Sequence, residues 1–155
     1  MWNPVTFGRT EILFEPLADP GPEMLDHVSI TVSDLARATP FWDAVMAALK
    51  VPCVVRRDAM MGYGLRNRPE DDGHTYLSVR ASAGPLVADN RHWCLRAPSR
   101  GAVDAFHEAG LSAGGRCDGA PGLRPDYHPA YYAAFLLDPD GNRVEAVCHR
   151  PGAAG

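Results

Sequence analysis

The chain has 155 residues, a formal net charge of -4 at pH 7, and 46% hydrophobic and 22% charged residues. These values are typical of one globular domain with a substantial core, and the interspersed charges exclude a polybasic surface for DNA, RNA or anionic lipid. No apolar run is long enough to cross a bilayer, and the four cysteines form no C-x-x-C pair. Since no signal peptide precedes them, we expect reduced thiols in a cytoplasmic protein.

Residues 1–23 follow no regular pattern, because Pro and Gly interrupt them repeatedly. Two interpretations stay open for this segment. Either Thr10–Phe14 forms a short edge strand, or the segment is an extension or the product of an upstream start codon, with Met24 opening the domain. We predict an N-terminal extension over 1–23, one domain over 24–150 and a flexible tail over 151–155.

From Leu25 the sequence alternates between apolar and polar residues, which predicts a half-buried strand. One face of this strand is apolar and carries Val28, Ile30 and Val32. The other face is polar and carries His27, Ser29 and Thr31.

Over Asp34–Lys50 the apolar residues recur at helical spacing, with Phe41, Val45 and Leu49 on one stripe. Proline is awkward inside a helix. We therefore place the start of the main helix at Pro40, with Thr39 as its N-cap and a short turn before it.

Three further strands are predicted over Val51–Arg57, Met60–Arg66 and Thr75–Arg80. A second strand-to-helix unit follows them. Its strand spans Arg91–Ala97, and Ser99 caps a helix that ends at Gly110. Gly114–Tyr127 is rich in Gly and Pro, and we predict a loop there.

The chain closes with a hairpin in which two strand-forming runs flank Asp-Pro-Asp-Gly-Asn. If Leu137 lies opposite Arg143, then Phe135 lies opposite Glu145, and both point to one face of the sheet. A lone carboxylate is thus carried into a mostly apolar strand. Its burial is costly unless a partner or a metal ion compensates its charge, so we expect a partner for Glu145.

The chain also contains an internal repeat at an offset of 65 positions, which carries His27 onto His92 and Phe41 onto Phe106. The repeat predicts an α+β fold of two βαβββ modules, over 24–88 and 89–150, whose curved sheets surround a central cleft with the helices outside. The cleft would be lined by His27, Ser29, Thr31, His92, Cys94, Phe135 and Glu145.

These features resemble the vicinal oxygen chelate superfamily, which includes glyoxalase I, bleomycin-resistance proteins, fosfomycin-resistance thiol transferases and extradiol dioxygenases. The resemblance covers residues 25–149. It depends on Leu-Asp-His-Val-Ser-Ile-Thr-Val-Ser-Asp-Leu at the first strand, on a strand headed by His92, and on Asp-Pro-Asp-Gly-Asn-Arg-Val-Glu. The segment Gly119–His149 resembles a bacterial branch of the superfamily without a defined reaction.

The resemblance implies a metal site formed by His27, His92 and Glu145. Two imidazoles and one carboxylate suit Zn, Mn, Fe, Co or Ni and leave positions open for water or substrate. The structural alternative is two core histidines and an ion pair of Glu145 with an arginine, for which the candidates are Arg80, Arg96 and Arg143. Residues 74–88 contain no Asp or Glu, which disfavours the glyoxalase I reaction because that enzyme carries a second carboxylate there.

Several other residues are candidates for substrate contact or catalysis. We assign acid/base or hydrogen-bonding roles to Glu145 and Tyr131. For Arg124, Tyr127 and His128 the alternative is that they belong to a solvated loop. For Cys94 a small buried filler is favoured over a reactive thiol or a soft metal ligand. The predicted substrate contacts are Arg124, Tyr127, His128, Phe135 and Cys94.

Three classes of function follow from this interpretation. The leading hypothesis is a metal-dependent lyase, thiol transferase or dioxygenase that acts on a small oxygen-chelating substrate. The second is a metal-free drug-binding protein of the bleomycin-resistance type, and the third is a sensor or scaffold subunit. We expect a small-molecule partner and a homodimer, with the site either within one chain or shared by two.

Overall fold

The structure, a computed structural model, describes residues 25, 27–66, 74–82 and 92–151. The predicted N-terminal extension, including the possible edge strand Thr10–Phe14, lies outside these ranges, as does the predicted tail beyond residue 151. None of the helices in the described ranges has the length and apolarity that a membrane crossing requires.

Two successive units contain the same elements in the same order. The first consists of β1 (His27–Val32), α1 (Leu35–Ala48), β2 (Cys53–Arg57), β3 (Met60–Gly64) and β4 (Tyr76–Ala81). The second consists of β5 (His92–Arg96), α2 (Arg100–Ser112), β6 (Arg116–Leu123), β7 (Tyr132–Leu137) and β8 (Arg143–Cys148).

Each unit folds into its own four-stranded sheet, and the two sheets have equivalent topology. The strand orders are β1-β4-β3-β2 and β5-β8-β7-β6. In each sheet the first strand pairs with the last in parallel, and the remaining neighbours are antiparallel. The helices lie outside the sheets and pack against each other. The predicted α+β fold of two βαβββ modules is therefore confirmed.

The first helix begins earlier than predicted. α1 starts at Leu35, its N-cap is Asp34, whose carboxylate accepts a hydrogen bond from the Arg37 N–H at 3.1 Å, and Pro40 lies inside the helix. The prediction of a start at Pro40 is wrong. A proline inside a helix removes one backbone hydrogen bond and costs about 3 kcal/mol, which favourable packing elsewhere in the helix can offset. Burial of Phe41 and Trp42, the two residues that follow Pro40, offsets that cost.

The second helix keeps its predicted cap but not its predicted end. The Ser99 hydroxyl accepts a hydrogen bond from the Ala102 N–H at 3.1 Å, as expected. The helix passes Gly110 and ends at Ser112. A Cβ at Gly110 would lie 2.3 Å from Leu136 Cδ1. This glycine therefore permits close packing of the helix on the sheet and does not terminate the helix.

The largest correction concerns the predicted loop Gly114–Tyr127, because Arg116–Leu123 forms strand β6. Gly and Pro lowered the local strand signal, but β7 supplies a hydrogen-bonding partner along this segment. The pairing is irregular between Cys117 and Gly119 and again between Gly119 and Gly122. Tertiary pairing thus overrides local propensity, and within the predicted loop only Gly114 and Gly115 before β6 and the residues from Arg124 onward are not in a strand.

The core lies between each helix and the helix-facing side of its sheet. Its largest fully buried side chains include Trp42, Tyr63, Phe41, Phe106, Met46, Met61 and Leu136. Trp42 and Phe41 contact each other edge to face, with ring centroids 5.4 Å apart. Repeat-related positions such as Phe41 and Phe106 are both buried, as the repeat predicted.

The turn of the C-terminal hairpin binds the first module. Asp138 is fully buried and accepts hydrogen bonds from its own turn and from Trp42 Nε1 at 3.2 Å. Asp140 accepts a hydrogen bond from the Ser33 N–H at 3.0 Å and pairs with Arg37, while Asn142 Nδ2 donates to the Thr31 carbonyl at 3.1 Å. The turn is therefore a contact between modules as well as a reversal of the chain.

Candidate functional site

The helix-free face of the second sheet, which carries His92, Cys94, Phe135 and Glu145, brings most of the candidate residues together. The register aligns Cys94 with Glu145 between β5 and β8, and Phe135 with Glu145 between β7 and β8. Side chains at paired positions point to the same side of a sheet. The hairpin register predicted from the sequence is therefore confirmed.

Glu145 lies at the centre of this face with a side chain that is only 3% exposed. The Tyr131 hydroxyl donates a hydrogen bond to Oε1 at 2.6 Å, and His92 Nε2 lies 3.3 Å from Oε2. The partners that compensate this buried carboxylate are thus a phenol and an imidazole. Arg143, one of the arginines considered for an ion pair with Glu145, instead donates to Asp118 at 2.5 Å.

Tyr131 is surrounded by three aromatic rings that fix its position. Ring centroids lie 4.9 Å away for Tyr127, 5.3 Å for His128 and 5.2 Å for His149, all at steep angles. Burial, and then the hydrogen bond to Glu145, raise the pKa of Tyr131 above its ordinary value. Tyr131 therefore keeps its proton at neutral pH and acts as a hydrogen-bond donor to the carboxylate.

The two histidines beside Tyr131 form a hydrogen-bonded pair, with His128 Nε2 and His149 Nδ1 2.9 Å apart. The Ala130 N–H donates to His128 Nδ1 at 3.2 Å. The proton of neutral His128 is therefore assigned to Nε2, which donates to His149. Burial, the neighbouring His128 and Arg96 lower the pKa of His149, with Glu145 acting in the opposite direction.

His149 was missed by the sequence analysis, although one signal could have found it. Continuing the two-residue period from Glu145 through Val147 places His149 on the same face. The last residue of β8 is Cys148, so His149 lies just beyond the strand. The predicted strand ended at Val147, so His149 was not among the predicted site residues.

Cys94 lies beside Glu145 and Tyr131. The residue as a whole is exposed while its thiol is shielded from solvent, so the expectation of a small buried filler is correct for the thiol alone. Burial of the thiol, followed by the charge of Glu145, raises the pKa of Cys94 to about 12. At neutral pH this thiol is protonated, so it is a poor nucleophile.

Arg124 and Phe135 occupy the β6 side of the same face. The Arg124 guanidinium carbon lies 5.7 Å from the Phe135 ring centroid, and its Nη2 donates to the Ala120 carbonyl at 2.7 Å. A Cβ at Gly119 would lie 2.9 Å from Phe135 Cδ2, so this glycine leaves room for the ring. The structure therefore brings Arg124, Tyr127, His128, Tyr131 and Phe135 together, as the sequence analysis expected.

His27 is placed apart from this group, at the start of β1 in the first sheet. Across residues 25, 27–66, 74–82 and 92–151, no three or more His, Cys, Asp or Glu side chains are arranged to hold a metal ion. One chain thus brings together two of the three predicted ligands, His92 and Glu145. The role of His27 stays a prediction.

The helix-free face of the first sheet has a different character. Ser29 and Ser78 share a hydrogen bond of 2.7 Å, and Arg66 lies 5.0 Å from the ring centroid of Tyr76. The β4 residues on this face are Tyr76, Ser78 and Arg80, in register with β1. This stretch of β4 supplies no carboxylate, in accord with its sequence.

Comparisons with known proteins agree with this architecture. The model of the Glyoxalase/Bleomycin resistance protein/Dioxygenase superfamily matches residues 24–146. A solved glyoxalase/bleomycin resistance protein from Albidiferax ferrireducens T118 is similar, with a TM-score of 0.65 and 29% identity over 81% of this chain and 98% of that chain.

Two further solved structures extend the comparison. A putative glyoxalase from Bacillus halodurans has a TM-score of 0.59 and 27% identity over 80% of this chain and 94% of its own. The V278E mutant of glyoxalase I from Zea mays has a TM-score of 0.55 and 22% identity over 79% of this chain and 45% of its own, which shows a shared fold alone. A search of curated proteins found no match.

Proposed function

Because the chain belongs to the glyoxalase/bleomycin resistance protein/dioxygenase superfamily, we propose that it is a metal-dependent enzyme acting on a small oxygen-chelating substrate at Glu145. One observation carries this proposal. His92 Nε2 and Glu145 Oε2 are 3.3 Å apart. Two ligand atoms that each lie about 2.1 Å from one ion at a near-tetrahedral angle are separated by roughly 3.4 Å.

The two oxygens of Glu145 have separate roles in this proposal. Oε2 faces His92 and is the metal ligand, while Oε1 accepts the Tyr131 hydrogen bond that orients the carboxylate. Zn, Mn, Fe, Co or Ni would supply Lewis-acid polarisation of the substrate oxygens when bound. Tyr131 remains protonated and is the candidate proton donor on the same side.

The reaction class is narrowed by the first sheet. The β4 residues on its helix-free face are Tyr76, Ser78 and Arg80, so the second carboxylate of glyoxalase I has no counterpart on that strand. A lyase, thiol transferase or dioxygenase reaction is therefore favoured over that of glyoxalase I. The four free cysteines support a reducing, cytoplasmic compartment.

The third ligand in this proposal is His27 from a second copy of the chain. β1 and β5 are edge strands of their sheets, and the described strands leave the outer side of each unpaired. His27, Ser29 and Thr31 on β1 are exposed, as are His92, Cys94 and Arg96 on β5. A two-fold dimer covers two such faces at once and brings β1 of one copy to β5 of the other.

Metal content tests the site directly. Purified protein reconstituted with each of the five divalent ions should retain one ion per chain, measured by elemental analysis after desalting. His92→Ala should lose it. His107→Ala removes an imidazole from α2 on the helix side and should retain the ion. Absence of stoichiometric metal after all five reconstitutions contradicts the proposal.

A mixing experiment tests whether two chains share the site. His27→Ala and Glu145→Ala homodimers should both fail to bind the ion. A mixed dimer, co-expressed with two different affinity tags, has one site with both defects and one intact site, so it should bind one ion. A mixed dimer without metal places all three ligands in one chain, whereas metal bound by the His27→Ala homodimer removes His27 from the set.

A second candidate function is metal-free binding of a small molecule, as in bleomycin-resistance proteins. The observation that favours it is that Tyr131 and His92 already provide Glu145 with partners. Treatment with a chelator separates the two functions. Tight ligand binding that survives removal of all metal supports the binding protein, whereas loss of both binding and turnover supports the enzyme.

A further inference from the structure

Arg124 is held in a defined position on the helix-free face of the second sheet. Its Nη2 donates to the Ala120 carbonyl at 2.7 Å and its Nη1 to the Leu123 carbonyl at 3.3 Å, while Phe135 lies beside the guanidinium. Gly122 allows Nη1 to approach closely, because a Cβ there would lie 3.1 Å from it. A cation fixed in this way loses little side-chain entropy when it binds an anion.

The loop before β7 reinforces that position. The Arg124 N–H donates to the Tyr131 carbonyl at 2.8 Å, and the Tyr127 N–H donates to the Arg124 carbonyl at 3.0 Å. Arg124 and Tyr131 are therefore linked through the backbone. A ligand that contacts both side chains therefore binds to a surface whose backbone is already ordered.

Arg124 follows the end of β6, and its guanidinium extends to Phe135 on β7, which is paired with Glu145 on β8. Phe135 pairs with Gly119 of β6 on one side and with Glu145 of β8 on the other. The Arg124 guanidinium carbon lies 5.7 Å from the Phe135 ring centroid, and one strand spacing of roughly 5 Å separates Phe135 from Glu145. A six-membered ring with a polar group at each end, hydrogen-bonded at both, spans a comparable distance.

Arg124 at one end of this group and Glu145 at the other carry opposite charges. Glu145 is a buried carboxylate with His92 beside it, so that end repels an anionic group unless a metal ion is bound. Within the described residues no carboxylate pairs with Arg124, whereas Arg143 on the same face is paired with Asp118. Burial, and then the charge of Glu145, raise the pKa of Tyr127, while the charge of Arg124 lowers it, so Tyr127 lies within reach of both ends.

We infer that the ligand of this site is a small monocarboxylate with a planar apolar centre. Its carboxylate binds Arg124, its centre lies against the half-buried Phe135, and its other polar end faces Glu145, His92 and Tyr131. Guanidinium groups match carboxylates in shape and charge, and the aromatic residue between the ends suits a ring better than a polar chain. The assignment rests on the proposed function only in placing the reacting end at Glu145.

Matched acids and amides test this inference, because they differ in charge and hardly in shape. The probes are 4-hydroxybenzoate with 4-hydroxybenzamide, benzoate with benzamide, and hexanoate with hexanamide, measured by calorimetry and ligand-observed NMR on the full chain. The acid of at least one ring pair should bind about 10-fold or more tightly than its amide, as expected for a charge-assisted hydrogen bond.

Substitutions at Arg124 should remove this preference. Arg124→Gln should lower acid affinity to that of the amide, while Arg124→Lys, which keeps the charge and the aliphatic stem, should retain part of it. Arg57→Gln makes the same charge change on the exposed strand β2 of the other sheet and should leave the preference intact. Circular dichroism confirms that each variant is folded.

Three results overturn the inference: equal affinity for acid and amide in the native protein, a preference that survives Arg124→Gln, or no acid binding up to about 10 mM. Running every titration on metal-loaded and chelator-treated protein separates the two proposals. An acid preference in protein that binds no metal supports this inference and contradicts metal dependence. Stoichiometric metal without an acid preference supports the enzyme and overturns the monocarboxylate ligand.

Discussion

The two sheets have one topology and two chemistries. The pair Cys94 and Glu145 in the second sheet occupies the same place in the strand order as Ser29 and Ser78 in the first. Where the second sheet has a buried carboxylate, the first has two hydroxyls joined by a 2.7 Å hydrogen bond. An internal repeat thus specifies where functional side chains can be placed, while single residues decide which chemistry is present.

The neighbouring position differs as well. Phe135, next to Glu145 on β7, corresponds to Gly62, next to Ser78 on β3. A Cβ at Gly62 would lie 1.8 Å from Tyr76 Oη, so the Tyr76 ring lies across the glycine. In the first sheet a tyrosine of β4 covers this position, whereas in the second the position carries Phe135 with the Arg124 guanidinium beside it.

Removal of the carboxylate should abolish the main chemical difference between the two sheets. Glu145→Ala should weaken binding of a divalent ion by at least about 100-fold, because one ligand and the acceptor of the Tyr131 hydrogen bond are lost together. Ser78→Ala changes the equivalent residue of the first sheet and should leave the affinity unchanged. Titration calorimetry with Zn or Co measures both, and native affinity in Glu145→Ala contradicts the assignment.

Packing of the first sheet is tested at Gly62. Gly62→Ala should lower the free energy of unfolding by roughly 1–3 kcal/mol, since the added methyl group displaces the buried Tyr76 hydroxyl. Gly101→Ala is the matched control. This glycine lies in the first turn of α2, where the nearest atom to a new Cβ is Ser99 Oγ at 3.9 Å. Denaturant unfolding should show no loss of stability there.

The orienting role of Tyr131 is expected to be smaller. Tyr131→Phe removes the hydroxyl that donates to Glu145 at 2.6 Å and should weaken metal binding by about 10-fold to 100-fold. Tyr127→Phe removes a neighbouring hydroxyl from the same aromatic cluster and should have little effect on metal affinity. Equal losses in the two variants would show that the cluster acts through packing alone.

The smallest predicted effect is a pH dependence of stability that arises from the second sheet. The pKa of His149 is lowered from its ordinary 6.5, so the folded protein binds fewer protons there than the unfolded chain. The stability contributed by neutral His149 is therefore complete above pH 6.5 and is lost as pH falls through the folded-state pKa.

Denaturant unfolding between pH 7.5 and 5 in native protein and in His149→Gln measures this contribution, with the variant expected to lose less stability on acidification. Burial is the main cause of the lowered pKa of His149; His128 and Arg96 lower it further, and Glu145 acts in the opposite direction. Imidazole NMR reports the same group directly. Titration of His149 at or above pH 6.5 in the folded protein contradicts the prediction.

Much of this arrangement is encoded locally and could be predicted. Alternation and turn residues were sufficient to place Glu145 opposite Phe135, and Ser99 was recognisable as a helix cap. Pro40 and β6 were misassigned because packing of Phe41 and pairing with β7 outweigh the preferences of Pro and Gly. Local sequence carries no information about those distant partners.

In the candidate site, too, some features follow from local sequence and others depend on distant parts of the chain. His92 and Glu145 lie on adjacent strands of one module, so strand order brings them together. His27 belongs to the other module, and its distance from Glu145 depends on how whole sheets associate. His149 contacts His128 across 21 positions of sequence, through a loop whose path no periodicity specifies.

The contacts of the hairpin turn have a consequence for the order in which the chain acquires its structure during synthesis. Trp42 and Arg37 leave the ribosome about a hundred residues before their partners Asp138 and Asp140. Until that turn emerges, the buried indole N–H of α1 lacks its acceptor. The first module therefore completes its fold only after the turn around Asp138 and Asp140 has been synthesised, and a chain truncated before residue 138 should be a substrate for chaperones and proteases.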